Sequence, residues 1–215
     1  LVIALVCCNS VEVCVEAIDS PDICAANELD TCWTFMIPEG GPMARVLEPL
    51  NGTYSACDDQ AIHVRVIDAA GDDIDESTIE MAVNGTAYTT ADPELAFYAP
   101  DSIVFTPSVL WTDGEVVNVS LNSCSDVLGN ELSDAPIVWS FTIDLSAPVM
   151  TSLLPLPEAP ISDLCPDITF DLADALAGLD ESSVSINING TTYSLTTHEI
   201  DWDGTHFTVN LCDLG

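Results

Sequence analysis

The chain of 215 residues contains no lysine, and Arg45 and Arg65 are its only permanent cations, against 36 aspartates and glutamates and a net charge of −34. A surface of that sign repels nucleic-acid phosphates and anionic lipid headgroups, which removes both as partners. No apolar run approaches the roughly 20 residues that span a bilayer, so membrane insertion is not expected. No stretch longer than about a dozen residues shows helical spacing. No C-x-x-C, C-x-x-C-H or Cys/His zinc spacing occurs, which argues against haem attachment and structural zinc. There is no serine in a nucleophile elbow and no glycine-rich phosphate loop. The three histidines, His63, His198 and His206, fall on strands or strand edges at unrelated places, so no catalytic centre is expected.

What remains is enough for a core. Apolar residues make up 48% of the chain and mean hydropathy is +0.33, which separates it from acidic disordered segments. Nine cysteines in such a chain point to disulfides and an oxidising, extracellular location. The opening LVIALVCC lacks a basic leader and a small-residue cleavage site, and reads as a strand of the mature chain rather than a signal peptide.

The chain repeats itself. DIDESTIEMAVNGTAYTT (73–90) recurs as AGLDESSVSININGTTYSLT (177–196), and CDDQAIHVRVIDAAG from Cys57 recurs as CPDITFDLADALAG from Cys165. WTDGEVVNVSLNSC, ending at Cys124, resembles DWDGTHFTVNLC, ending at Cys212. A third, partial copy stands at the front: residues 11–39 match 117–144, with Trp33 against Trp139 and Phe35 against Phe141, each 106 positions apart. That period is the size of an immunoglobulin-type sandwich of about 100 residues. IHVRVID, IEMAVNG, VVNVSLN, VWSFTID, ITFDLAD, VSINING and FTVNL alternate apolar and polar residues as half-buried strands do, and prolines with Asn-Gly and Asp-Gly pairs separate them. The expected fold is all-β, a tandem of immunoglobulin-like β-sandwich domains.

The phase of the repeat gives three pieces: 1–41 with closing strands only, 42–146 complete, and 147–215 without a counterpart of the closing strand IVWSFTID. An open sandwich exposes an apolar face and an unpaired edge. Either the chain is a stretch of a longer tandem repeat, or 1–41 of one copy completes 147–215 of another. The latter is strand addition, and its head-to-tail geometry propagates into a fibre. On this alignment the strand at Val11 duplicates the one at Phe207, so only the strand around Trp33 fills a gap. Trp33, Trp139 and Phe141 read as core residues of closing strands.

With Ser77, Thr78, Asn84, Gly85, Asp113, Gly114, Gly129 and Asn130 in the middle copy, the order of motifs resembles the immunoglobulin-like repeats of large bacterial cell-surface and secreted proteins. The resemblance implies stalks, adhesins, surface layers or fibre subunits without catalysis of their own. The abundance of cysteine and the absence of lysine depart from that pattern. The function expected is an extracellular structural repeat, a subunit or segment of a surface filament whose partners are copies of itself. The competing reading is a ligand-binding adhesin or carbohydrate-binding module, which a cluster of exposed aromatics at one loop end would favour.

Candidate sites follow from the acids, cysteines and asparagines. Residues 68–76 hold five carboxylates, but from Asp68 glycine falls fourth, not sixth as an EF-hand requires. Calcium held by separate loops is the alternative to a merely solvated turn, with Asp68, Asp72, Asp73, Asp75, Asp174 and Asp180 as candidate ligands. Matching positions suggest the bridges Cys57–Cys124 and Cys165–Cys212, each worth roughly 3 to 4 kcal/mol in the chain-entropy view. Cys7, Cys8, Cys14, Cys24 and Cys32 leave one odd thiol, free or bonded to a neighbouring copy. Asn51, Asn84, Asn118 and Asn189 head glycosylation sequons, although Asn-Gly at 84 and 189 is equally a hairpin turn.

Overall fold

The structure, a computed structural model, describes residues 10–19, 28–36 and 40–214. LVIALVCC, Cys7, Cys8 and Cys24 lie outside the described residues. The fold is all-β: among the described residues the one helical element is a single 3-10 turn, Glu181–Ser183. The chain divides into two compact units, one of Leu1–Glu48, Ala61–Thr106 and Asn118–Trp139, the other of Pro49–Gln60, Pro107–Val117 and Ser140–Gly215.

The first strands, β1 (Ser10–Ile18) and β2 (Glu28–Met36), form an antiparallel ribbon that is a sheet by itself. Its register sets Val13 opposite Trp33, Val15 opposite Thr31 and Ala17 opposite Leu29 on one side. Glu12, Glu16 and Asp30 share the other side with Cys14 and Cys32, which face each other and are joined by a disulfide. Period-2 alternation thus makes the ribbon amphipathic. Its apolar side is open: Val15 is 40%, Trp33 49% and Leu29 52% exposed. Trp33, expected in a core, is not in one, because among the described residues β2 pairs with β1 alone.

The middle of the chain supplies β3 (Met43–Glu48), β4 (Tyr54–Ser55), β5 (Ile62–Ile67), β6 (Ile74–Val83), β7 (Thr86–Thr89), β8 (Leu95–Tyr98), β9 (Ser102–Phe105), β10 (Val116–Asp126) and β11 (Ile137–Ile143). They form two sheets, ordered β4-β11-β10-β6-β7 and β3-β5-β9-β8. Alternate residues point inward: Ile62, Val64 and Val66 from β5, Ile79, Met81 and Val83 from β6, Val117, Val119 and Leu121 from β10, Trp139, Phe141 and Ile143 from β11. None of these is more than 4% exposed, and each fully buried side chain of this kind contributes about 1.5 to 3 kcal/mol. Tyr88 of one sheet meets Phe105 of the other edge-on, with centroids 4.9 Å apart. Asn84 and Gly85, at φ 49° and 80°, form the two-residue turn between β6 and β7 that a right-twisted hairpin favours.

In β10 the alternation slips. Register shifts on either side of Ser123 mark a bulge, after which Cys124 and Asp126 take the inward phase that Ser123 and Ser125 would otherwise occupy.

The last strands are β12 (Val149–Leu154), β13 (Asp167–Ala173), β14 (Ser185–Ile188), β15 (Thr191–Ser194), β16 (Asp201–Trp202) and β17 (His206–Asn210). They pair as β12-β13-β17-β16 and β14-β15. Strand β17 lies between β13 and β16, as β9 lies between β5 and β8. The expected equivalence of FTVNL with VVNVSLN is therefore corrected: FTVNL is the counterpart of β9, and Phe207 and Val209 stand where Ile103 and Phe105 stand. Among the described residues here, Ile200, Phe207 and Val209 are buried; Ile168, Phe170, Ile186, Ile188, Tyr193 and Trp202 are partly covered. Phe170 stacks on Phe207 at 4.4 Å, and Cys165 and Cys212 form a disulfide.

Candidate functional site

Asp68 directly follows β5, and its Oδ1 accepts hydrogen bonds from the amides of Ala70 (2.8 Å), Gly71 (3.0 Å) and Asp72 (3.2 Å). This loop fixes the carboxylate, yet its Oδ2 is buried and has no hydrogen-bond partner. Asp126, carried inward by the bulge, is 1% exposed. Its Oδ1 accepts from the amides of Leu128 and Asn130, both at 2.9 Å, and its Oδ2 from Asn130 Nδ2 at 2.7 Å. Burial pushes the Asp126 carboxyl up, but the Asn130 side chain and the amides of Asn130, Leu128 and Gly129 together hold it below its ordinary value. One carboxylate oxygen from each of Asp68, Asp72 and Asp126 lies within 4.8 Å of the others.

The remaining candidate ligands are elsewhere. Asp73 gives its carbonyl oxygen to the Val127 amide at 2.9 Å. Asp75 Oδ1 accepts from the amide and hydroxyl of Ser77 (3.0 and 2.7 Å), and Asp180 Oδ1 does the same for Ser182 (3.0 and 2.6 Å). Asp174 Oδ1 accepts from the amides of Leu176 and Gly178, at 3.0 and 2.9 Å, a loop like that of Asp68. Glu12 lies close to Cys14 and Cys32, but the two sulfurs are spent on their disulfide.

The expected bridge Cys57–Cys124 is not formed; both are free thiols, Cys57 exposed and Cys124 buried. The reason is the strand match: Cys212 follows β17, the counterpart of β9, whereas Cys124 lies in β10 of the other sheet. Cys124 was expected just after a strand, but it is an inward residue within one, while Cys57 lies on an exposed turn whose amide donates to Ser55 Oγ at 3.2 Å. Burial, reinforced by the charges of Asp126 and Asp75, pushes the Cys124 thiol up to about 11. It therefore stays protonated and unreactive at neutral pH.

No protein-family model and no curated protein matches the chain. Among solved structures it is similar to a Ca2+-stabilized adhesin that helps an Antarctic bacterium reach out and bind ice, at 18% identity and a TM-score of 0.31, over 94% of this chain and 48% of that one. The chain spans about half the length of that structure, and a likeness of that degree carries no assignment.

Asparagines of the sequons serve the backbone. Asn84 Oδ1 accepts from the Asn118 amide at 2.9 Å and Asn51 Oδ1 from the Ser140 amide at 3.1 Å. Asn189 holds a turn at φ 52°. Sequence reasoning missed Asp126. Its signal was present in DVLGN, where an aspartate precedes Gly129 and Asn130, but only the bulge shows that this side chain turns inward.

Proposed function

We propose that this chain is an extracellular, non-catalytic structural protein of immunoglobulin-like β-sandwiches, a subunit or segment of a cell-surface filament. Copies join head to tail by strand complementation, and calcium is the cation its acidic coat admits. One observation carries the reading: among the described residues an amphipathic ribbon forms a sheet by itself, and another sheet pair has no counterpart of the two strands that the ribbon matches.

Strands β12, β13, β14, β15, β16 and β17 correspond to β3, β5, β6, β7, β8 and β9. Among the described residues this region has no counterpart of β10 or β11. The sequence match of 11–39 with 117–144 makes β1 the equivalent of β10 and β2 that of β11. With the corrected place of β17, the ribbon fills both vacancies instead of one. The residues of its apolar side are the right ones: Val13, Val15 and Trp33 correspond to Val119, Leu121 and Trp139, which are 1%, 0% and 4% exposed. In the middle region β10 pairs with β6 through Val119 opposite Val83 and Leu121 opposite Met81. Carried over by the repeat, Val13 of one copy lies opposite Ile188 of the next, and Val15 opposite Ile186. A two-stranded ribbon is marginal alone; docking covers its apolar side and pairs a free edge. The contact is heterologous, so it propagates.

Electron microscopy and sedimentation test this on three proteins. Wild type forms filaments. Val15→Asp, which spoils the ribbon, and Ile186→Asp, which spoils its seat, each remain monomeric. Mixed, they form one-to-one dimers, because each retains the half the other lacks. Filaments from Val15→Asp alone, or no dimers from the mixture, would sink the proposal.

A further inference from the structure

We infer that Asp68, Asp72 and Asp126 bind a hard divalent cation, Ca2+ by chemistry, which ties the loop after β5 to the end of β10. The inference deepens the proposed function, from which it takes only the cation; it does not depend on assembly.

Acidic residues cluster on many surfaces without an ion, and on a chain of −34 some clustering is unavoidable. Two features set this group apart. First, it is not a solvated cluster: Asp68 is 8% and Asp126 1% exposed, so water cannot freely screen three carboxylates gathered within 4.8 Å. Second, Asp68 Oδ2 is buried with no partner, although three amides hold its other oxygen. Buried acceptors are almost always satisfied, and a charged one left bare is costly. Asp126 Oδ1 accepts two hydrogen bonds and Oδ2 one, which leaves Oδ2 a second lone pair for a metal. Hydrogen bonds from the backbone and Asn130 thus orient the ligands before the ion arrives, as outer-shell donors do in metal sites.

The donor set selects the ion. Only oxygen is offered, which excludes ions that prefer sulfur or imidazole. Ligands from two loops, with water filling the remaining positions, suit the loose geometry of Ca2+ better than the strict octahedron of Mg2+. Three carboxylates that converge from separate segments also differ from an EF-hand, which explains why the linear spacing from Asp68 fails. The matched loop at Asp174 accepts the same kind of amide bonds but has no counterpart of Asp126 among the described residues, so it serves as an internal control.

The test is calorimetric titration of the full chain with CaCl2, together with thermal melting in Ca2+ and in chelator. Both are run in wild type and in the Val15→Asp background, so that a failure of assembly leaves the cation result readable. Saturable binding is expected on the order of 10⁻⁴ to 10⁻³ M, as in extracellular modules, with a higher melting midpoint in Ca2+. Asp72→Asn is the main variant, since no hydrogen bond of the loop rests on its side chain; it weakens binding about tenfold or more. Asp126→Asn does the same where it folds, and Asp174→Asn leaves the affinity unchanged. An unchanged midpoint without measurable heat overturns the inference. So does binding that Asp72→Asn leaves intact, which would assign the ion to the acidic coat at large.

Discussion

The same sequence pattern is folded twice in this molecule, and its inward residues are covered to different extents. Ile79, Met81 and Val83 of β6 are 1%, 0% and 3% exposed, whereas Val184, Ile186 and Ile188, the matching residues in and just before β14, are only half-buried. Local chemistry does not account for this. Both segments follow an aspartate that caps a serine, both end in an Asn-Gly turn, and both pair with a short following strand. What differs is the neighbour. Strand β6 has β10 along its other edge, and among the described residues β14 has no such strand. Burial in a β-structure is thus a property of the strand beside a residue as much as of the residue itself.

The largest effect that probes this difference is a matched pair of core truncations. Met81→Ala removes a fully buried side chain and is expected to cost about 2 to 5 kcal/mol. Ile186→Ala, at the same place in the repeat, is expected to cost about 1 kcal/mol in the unassembled chain, because its side chain is only partly buried. Urea unfolding in the monomeric Val15→Asp background measures both. In filaments the Ile186→Ala cost should rise towards that of Met81→Ala, seen as a higher concentration needed for assembly. Equal costs in the monomer would mean that the half-buried face of β14 is not an unfinished core.

Much of the strand content was legible, because alternation at period 2 survives wherever one face is wet and the other dry, as in β5, β6 and β11. Strand neighbours were not. The pattern D-G followed by alternating apolar residues fits β10 and β17 equally, since a turn residue and a strand say nothing about which edge the strand joins. Pairing alone reveals that β17 takes the place of β9. The bulge in β10 was likewise invisible: a register slip of one residue reverses every later side chain, and it turned Cys124 and Asp126 inward together. Asp68 and Asp72 were within reach of composition, whereas Asp126 and the pairing of Cys14 with Cys32 required register.

A smaller effect is expected at Gly41. A Cβ built there would lie 1.7 Å from the Glu131 carbonyl oxygen, so the backbone and the turn after β10 touch without room for a methyl group. The repeat places Ala147 at the corresponding position, before Pro148 as Gly41 is before Pro42. Alanine is tolerable there because no counterpart of the Glu131 turn exists among the described residues of that region. Gly41→Ala should therefore cost about 2 kcal/mol through overpacking, while Ala147→Gly should change stability by less than about 1 kcal/mol. Melting both variants against wild type decides it, and a neutral Gly41→Ala would show that the turn yields.

The smallest effect concerns a cap within one loop. Asp180 lies below its ordinary carboxyl value because the Ser182 hydroxyl and amide, with the Ser183 amide, favour its charged form over a smaller opposing effect of burial. A carboxyl lowered on folding stabilises the folded chain above its unfolded pKa, and that contribution vanishes as pH falls through the folded pKa. Asp180→Asn should lower the melting midpoint slightly at neutral pH, and the gap to wild type should close as pH drops below the ordinary value of 3.8. Because the cap is complete within its own loop, the gap should be the same in monomers and in assembled material. A gap that widens on assembly would place this loop in the contact between copies.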